Sequence, residues 1–155
     1  MNVNEKLIET LRQTVSTSKD RVATLRAIAD LLRSSGGYRW VAFYDVDHAA
    51  GIVKNIIWSG PAAPEYPAFP ITKGLTGSAI ATRKTVNAGD VSADPRYLTA
   101  LGSTQSEIIV PVFDSTSETV VGTIDVESGK RDAFSEDVQQ LLEACAKTIR
   151  PLWQD

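Results

Sequence analysis

Two stretches rich in β-branched residues, separated by a short polar turn, constrain the fold of this chain more than any other feature. The first stretch is residues 106–113, SEIIVPVF, and the second is residues 119–128, TVVGTIDVES. The segment between them, residues 114–118, consists of small polar residues and a glutamate. β-Branched residues favour strands, and a polar turn between two such runs is typical of a β-hairpin. We therefore predict a hairpin at the centre of a β-sheet.

The alternation of side chains along this hairpin predicts two different sheet faces, because successive residues of a strand point to opposite faces. One face receives the apolar residues Ile108, Val110, Ile124 and Val126. The other face receives the carboxylates of Glu107, Asp125 and Glu127. The apolar face predicts a hydrophobic core. The acidic face is either solvated or part of a pocket.

Apolar residues at helical spacing predict two helices before the sheet and one after it. The first two helices carry their apolar faces on Leu7, Ile8, Leu11 and Val15, and on Val22, Leu25, Ile28, Ala29 and Leu32. Ser18 is a candidate N-cap for the second helix, and Gly36-Gly37 can end it. The last helix begins after a capping Ser135 and ends at Pro151. Because an apolar helix face must be buried, we expect all three helices on one face of the sheet.

The segment between the second helix and the hairpin predicts strands, a short helix and a long loop. The predicted elements are a strand over 38–45, a strand over 52–58, a proline-rich connector over 59–70, a glycine-containing turn and short helix over 71–82, and a loop over 88–105. On the first strand Trp40 and Tyr44 share a face. A loop as long as 88–105 is usually functional or mobile. Together the elements predict an α+β fold.

Composition narrows the classes of protein and of partner. The chain has 155 residues, which predicts a single domain over 1–155. Its 16 basic and 19 acidic residues give a net charge of −3, and they form no basic run, so we expect no nucleic acid partner. No apolar run is long enough to span a membrane, so we expect no membrane association. The lack of a signal-peptide pattern and the single cysteine favour a cytoplasmic location.

Candidate catalytic residues are few. Cys145 lies within the apolar stripe of the last helix, which predicts a small buried hydrophobe rather than a nucleophile. His48 lies in a polar turn, where a lone histidine is usually solvated. With one histidine and one cysteine in the chain, we expect neither a metal site nor a Cys–His pair, and we expect no cofactor. The Gly-x-Ser-x-Gly motif is also absent from the sequence.

Binding chemistry is better represented. If the strand that carries Trp40 and Tyr44 lies near the hairpin, its aromatic side chains share a face with Glu107, Asp125 and Glu127. Aromatic faces and carboxylates together suit a small cation such as an ammonium group. Mutual repulsion among the three acids should raise at least one carboxyl pKa. The alternative is that the two aromatic residues simply pack under the helices.

Four segments carry a resemblance to a known family over essentially the whole chain. They are Trp40–Tyr44, Gly74–Ala79, Ser106–Val112 and Gly122–Ser128. In these segments and in the order of its elements the chain resembles a GAF domain, and within that family the free methionine-(R)-sulfoxide reductases. The resemblance implies a central antiparallel sheet with the N-terminal helix pair and the C-terminal helix on one face and a ligand pocket on the other. It also implies a homodimer.

The resemblance assigns roles to the same residues that the strand pattern selected. In the reductases the matching positions line the pocket for the free amino acid, which implies ligand-binding roles for Trp40, Tyr44, Glu107, Asp125 and Glu127. At Glu127 the family usually has aspartate.

The chain departs from the reductases at the cysteines that reduce the sulfoxide. Thr76 stands where the cysteine of the Gly-x-Cys-Gly turn would be, and Ala100 stands near the position of the loop cysteine. Reduction needs a thiolate that attacks the sulfoxide and a second thiol that regenerates it. We therefore expect a non-catalytic, small-molecule-binding sensor or regulatory domain for a free amino acid or a similar zwitterion. The alternatives are a reductase-like enzyme that uses an external thiol and a dimerisation module with a vestigial pocket.

Overall fold

A computed structural model describes residues 1–98 and 103–153 of the chain. Its helices are α1 (Val3–Ser16), α2 (Arg21–Gly36), α3 (Gly74–Thr82) and α4 (Glu136–Ile149). Its strands are β1 (Trp40–Asp47), β2 (Ile52–Ser59), β3 (Ala68–Pro70), β4 (Val86–Ala88), β5 (Ser106–Phe113) and β6 (Val120–Ser128). Short 3₁₀ turns cover Val91–Ala93 and Arg150–Trp153. The α+β class predicted from the sequence is confirmed.

The six strands form one antiparallel sheet in the order β3-β2-β1-β6-β5-β4. The predicted hairpin is β5–β6, and β6 lies beside β1 in the middle of the sheet. The short β4 pairs only with Glu107 to Ile109 of β5. Pro111 of β5 lies beyond the residues that pair with β4. Proline has no backbone N–H, but no β4 residue lies opposite it to accept one.

The three predicted amphipathic helices share one face of the sheet with the main hydrophobic core. Strand residues in this core are Val41, Phe43, Ile57, Ile108, Val110, Val112, Ile124 and Val126. Helix residues in it are Leu11, Leu25, Ile28, Ala29, Leu32, Leu142, Cys145, Ala146 and Ile149. α1 packs mainly against α4 and α2, whereas α2 and α4 contact the strands directly. The alternation of side chains along the strands therefore correctly predicted which residues lie in this core and which lie on the opposite face of the sheet.

Two helix ends agree with the sequence-based prediction, and two differ from it. Gly37 takes the left-handed conformation after α2, with φ 65°, and Ser135 caps α4 by accepting from the Val138 amide. The N-cap of α2 is Asp20 and not Ser18: the Asp20 carboxylate accepts from the Ala23 amide. Pro151 directly follows the C-cap Arg150, but α4 already stops at Ile149, two residues before the proline, which lies in the following 3₁₀ turn.

The opposite face of the sheet is covered by α3, by the connector that contains β3 and by the segment after β4. The irregular loop and connector predicted from the sequence each contain short regular elements, namely β3, the end of β4 and one 3₁₀ turn. Within the described ranges 1–98 and 103–153, no helix is both long enough and apolar enough to cross a membrane.

Candidate functional site

The sheet register aligns the five predicted site residues on the face that α3 covers. Trp40 of β1 lies opposite Glu127 of β6, which in turn lies opposite Glu107 of β5. Asp125 lies two residues before Glu127 on β6, and Tyr44 lies in the same apolar cluster as Trp40. Directly opposed side chains of an antiparallel pair have Cβ atoms about 5 Å apart. The carboxyl groups of Glu107, Asp125 and Glu127 therefore form one group, here called the carboxylate cluster.

All five side chains are buried. The exposed fraction is 5% for Glu107, 4% for Asp125 and 0% for Glu127, so the solvated alternative for the acidic face is excluded. Trp40 and Tyr44 are equally buried, but on the face opposite α1, α2 and α4. The alternative that these aromatic residues pack under the helix pair is therefore wrong.

Hydroxyl groups hold Asp125 and Glu127 in place. The Thr123 hydroxyl donates to Asp125 Oδ1 at 2.6 Å, and the Thr76 hydroxyl donates to Asp125 Oδ2 at 3.3 Å. The Thr104 hydroxyl donates to Glu127 Oε1. Both oxygens of Asp125 are thus satisfied by neutral donors, which orient the carboxyl group without cancelling its charge.

Two oxygens of the cluster are left without a partner. Glu107 Oε2 and Glu127 Oε2 are buried and accept no hydrogen bond from any described residue. No member of the cluster forms an ion pair within residues 1–98 and 103–153 either. A buried polar atom without a partner is costly and is rare in folded proteins. Of these two acceptors, only that of Glu107 belongs to a residue that lines a cavity formed by the described residues.

Burial raises the pKa of all three carboxyl groups. Loss of solvation, followed by the charge of Glu127, raises the pKa of Asp125 from 3.8 to about 7 against the opposing hydrogen bonds from Thr123 and Thr76. Desolvation and then repulsion from Glu127 and Asp125 hold the pKa of Glu107 well above 4.5. Desolvation also raises the pKa of Glu127, against the Thr104 hydrogen bond and the charge of Arg39. The sequence predicted a raised carboxyl pKa from mutual repulsion, whereas burial is the larger cause and repulsion adds to it for Glu107 and Asp125.

The two aromatic residues form part of the same face in different ways. The Trp40 indole N–H donates to the Ala62 carbonyl at 3.0 Å, so its only polar group is already bonded to the connector. Tyr44 packs edge-on against Phe69, with ring centroids 5.9 Å apart. Desolvation and the charges of Asp125, Glu107 and Glu127 raise the pKa of Tyr44 well above 10, so its phenol stays protonated.

Three of the five residues line a small cavity. Tyr44, Glu107 and Asp125 form its wall together with Tyr66, Phe69, Gly74, Leu75, Thr76 and Leu98. Trp40 and Glu127 are not at this wall. The cavity measures about 20 Å³, room for one water-sized molecule. Tyr66 is 42% exposed and Leu98 is half-buried, so these two side chains lie on the outer side of the cavity.

The turn into α3 uses its glycines for its own backbone. Gly74 has φ 73°, and a Cβ at Gly77 would lie 2.5 Å from the carbonyl carbon of Thr72. Gly77 thus allows close approach of the chain itself rather than of a ligand. The turn places Thr76 over Asp125, so the position expected for a catalytic cysteine does lie in the site but carries a hydroxyl. Ala100, the other expected cysteine position, lies outside the described residues.

Comparison with known proteins assigns the fold to a family. The sequence profile of the GAF domain family matches residues 20–150. This chain belongs to the GAF domain family. Its sequence is 25% identical over 147 residues to GAF domain-containing protein A of Dictyostelium discoideum, covering 94% of this chain and 89% of the relative. It is 34% identical over 112 residues to the free methionine-R-sulfoxide reductase of Saccharomyces cerevisiae, covering 71% of this chain and 60% of the relative.

A solved relative extends the likeness to the whole fold. The free methionine-R-sulfoxide reductase from Neisseria meningitidis, determined in complex with its substrate, matches this GAF domain with a TM-score of 0.88 and 28% identity. The match covers 98% of this chain and 89% of the reductase. The resemblance to the reductases inferred from the four sequence segments is confirmed.

Sequence reasoning missed the parts of this GAF domain's site that come from irregular segments. Thr104, Tyr66 and Leu98 lie outside regular strands and helices, where no periodicity indicates which way a side chain points. Strand alternation puts Thr123 on the same face as Asp125, but nothing in the sequence indicates the hydrogen bond between them. Among residues 1–98 and 103–153, no group of three or more His, Cys, Asp or Glu side chains is arranged to hold a metal ion.

Proposed function

We propose that this GAF domain binds a small ammonium-bearing molecule, a free amino acid or a similar zwitterion, non-covalently and without turnover, in a sensor or regulatory role. One observation carries the proposal: three buried carboxyl groups lie together, and two of their oxygens have no partner among the described residues. A buried group of like charges without a counter-ion is costly to the fold. An ammonium group offers three hydrogen-bond donors for the unpartnered oxygens and a positive charge for the carboxylates.

The neighbouring aromatic residues favour the same ligand class. A cation within about 6 Å of an aromatic face is attracted by the ring quadrupole. Trp40 and Tyr44 lie beside the carboxylate cluster, and the phenol of Tyr44 stays protonated and therefore neutral. The ligand's remaining atoms would take the space that Tyr66 and Leu98 now occupy at the mouth of the cavity.

The relatives support an amino acid in particular, and Thr76 argues against its reduction. The Neisseria meningitidis relative is a free methionine-R-sulfoxide reductase solved with its substrate, and its fold superposes closely on this chain. The hydroxyl of Thr76 lies 3.3 Å from Asp125, at the position expected for a reductase cysteine. A hydroxyl cannot supply the electrons that reduce a sulfoxide, because it has no thiol that becomes a disulfide on giving them up. Cys145, the single cysteine of the chain, lies in the core on the other sheet face.

Isothermal titration calorimetry tests the proposal. The panel contains free amino acids including methionine-(R)-sulfoxide, the matching amines without a carboxylate, and the matching acids without an amine. We expect binding only from molecules with an ammonium group, and tighter binding at pH 8 than at pH 5, because protonation of the cluster removes the attracting charge. Asp125→Asn should abolish most of the binding, whereas Asp137→Asn, at an exposed position on α4, should leave it unchanged.

The outcomes separate the candidate functions. Ammonium binding without turnover supports the proposal. Turnover of the sulfoxide with an external thiol would instead favour the reductase-like enzyme. Absence of binding across the whole panel, together with a stable dimer by sedimentation velocity, would favour the dimerisation module. The homodimer is part of the present proposal as well, and the same sedimentation experiment tests it.

A further inference from the structure

A second concave region lies at the open edge of β5. It measures about 580 Å³ and lies between α4, the turn from α3 to β4 and the turn of the β5–β6 hairpin. Its apolar floor consists of Val110, Pro111, Phe113 and Ala146. It exists because β4 pairs with β5 only as far as Ile109, which leaves the next residues of the edge uncovered by a strand. We call this region the basic groove; it shares no lining residue with the cavity at the carboxylate cluster.

The rim of the basic groove is strongly positive in an otherwise acidic protein. Its described lining residues include four cationic side chains, from Arg83, Lys84, Lys147 and Arg150, against the single carboxylate of Glu143. The net charge of the whole chain is −3, so this concentration of positive charge runs against the overall balance. None of the four cations forms an ion pair within residues 1–98 and 103–153.

The one acid on the rim is engaged with neutral partners. Glu143 Oε2 accepts from the Thr85 hydroxyl at 2.5 Å and from the Gln139 amide at 3.4 Å. These bonds hold Glu143 in place without cancelling its charge, so four cations against one carboxylate leave the rim with a net positive charge. Lys84 and Lys147 are both exposed and stand on opposite walls of the groove, one on the turn before β4 and one on α4.

The two arginines are held in place by the hairpin turn. Arg83 donates to the Glu118 carbonyl at 3.1 Å, and Arg150 donates to the Ser117 hydroxyl at 3.4 Å. Arg83 and Ser117 also have φ values of 57° and 61°, in the left-handed region that non-glycine residues rarely occupy. Such residues are enriched at functional sites, where the surroundings hold the strained backbone. Arg83 is the C-cap of α3 and Ser117 lies in the hairpin turn, so local backbone geometry positions both residues at the groove.

We propose that the basic groove binds a small organic anion with an apolar body, such as an aryl or acyl carboxylate or phosphate. Its volume lies in the range of about 300–1,000 Å³ typical of small-molecule sites. Pro111 and Phe113 provide the surface for the apolar body, and the four cations surround the anionic head. Nucleic acid fits poorly, because its recognition needs a basic surface far longer than one groove.

Calorimetry with three probes tests the ligand class: 1-naphthyl phosphate, inorganic phosphate and 1-naphthylmethylammonium. We expect the naphthyl phosphate to bind more tightly than inorganic phosphate, and the amine to bind elsewhere or not at all. In Lys84→Gln/Lys147→Gln the affinity for naphthyl phosphate should fall at least about tenfold, the scale of one lost charge-assisted hydrogen bond. The control Lys19→Gln/Lys54→Gln removes the same charge at exposed positions outside the groove and should change little.

A variant that should raise the affinity completes the test. Glu143→Gln removes the only carboxylate on the rim while keeping an acceptor for the Thr85 hydroxyl, so it should raise the affinity several-fold. The proposal is overturned if no probe binds, if inorganic phosphate binds as well as the naphthyl ester, or if both lysine pairs lose affinity equally. An unchanged affinity in Asp125→Asn would show that the basic groove is independent of the carboxylate cluster.

Discussion

The two faces of the central sheet are built from the same strands, but one buries apolar side chains and the other also buries carboxyl groups. On the helix-covered face, Ile124 and Val126 of β6 lie in a continuous apolar core. On the other face, Asp125 and Glu127 of the same strand are as deeply buried, yet they carry charges and an unpartnered oxygen. Burial alone therefore does not distinguish the two faces. What distinguishes them is that the carboxylate cluster contains two buried oxygens without a partner among the described residues.

This difference assigns separate tasks to the two faces. Removing apolar side chains from water is the main source of folding stability, and the helix-covered face supplies it. The carboxylate cluster weakens the fold, because its carboxyl groups must be either desolvated as charges or protonated. A site that costs stability in the free protein regains that energy when a complementary ligand binds. The predictions below test this division, beginning with the largest effect.

The first prediction introduces a charge into the helix-covered face. Cys145 is fully buried there, and desolvation raises the pKa of its thiol to about 12. Cys145→Asp places an unpaired carboxylate among apolar side chains, so we expect a loss of about 3–5 kcal/mol in the free energy of unfolding, measured in urea. Cys145→Ala is the control for lost volume and should cost much less. In the native protein a thiol reagent should label Cys145 only on unfolding, and rapid native labelling would show that the last helix is placed wrongly.

The second prediction compares neighbouring residues of β6. Ile124→Ala removes apolar volume from the core and should lower the free energy of unfolding by about 2–5 kcal/mol. Asp125→Asn removes a buried charge from the other face and should raise it by roughly 1 kcal/mol at pH 8, since the Asp125 pKa of about 7 leaves that group largely ionised there. Urea titrations of both variants measure the direction of each change in the free energy of unfolding. Destabilisation by both substitutions would contradict the separation of tasks.

The third prediction concerns catalysis and expects no signal. With thioredoxin or a dithiol as reductant, the protein should not turn over free methionine-(R)-sulfoxide, because Thr76 supplies a hydroxyl at the position of the turn cysteine. The assay follows consumption of the reductant against a blank without protein. Thr76→Cys serves as a matched variant that restores one thiol at the site. Turnover by the unmodified protein that disappears in Cys145→Ser would contradict both this prediction and the burial of Cys145.

Much of this division could be predicted from the sequence, because the period of 2 along a strand assigns each residue to a face. The shared face of the predicted aromatic and acidic site residues therefore followed from β1, β5 and β6 alone. Helix ends were harder: Ser18 and Asp20 are both good caps two residues apart, and only the helix start at Arg21 decides between them.

The covering of the site could not be predicted in the same way. Tyr66, Leu98 and Thr104 come from segments without a repeating pattern, so their directions depend on tertiary packing. For the same reason the sequence indicated a pocket without indicating that it measures only about 20 Å³. The basic groove was also missed, because its cations come from the turn after α3, from α4 and from the 3₁₀ turn that follows α4, and they form no long run in the sequence.

The dependence of stability on pH tests the central claim most directly. Since the folded-state pKa of Asp125 is about 7 against 3.8 for the free group, the folded chain holds more protons than the unfolded chain between these values. The contribution of this group is therefore fully present below about pH 4 and is lost as the pH rises through 7. We expect the free energy of unfolding to fall from pH 5 to pH 8, to fall less in Asp125→Asn, and to recover at pH 8 when a binding ammonium compound is added. Equal slopes for the two proteins, or stability that rises over this range, would contradict the account.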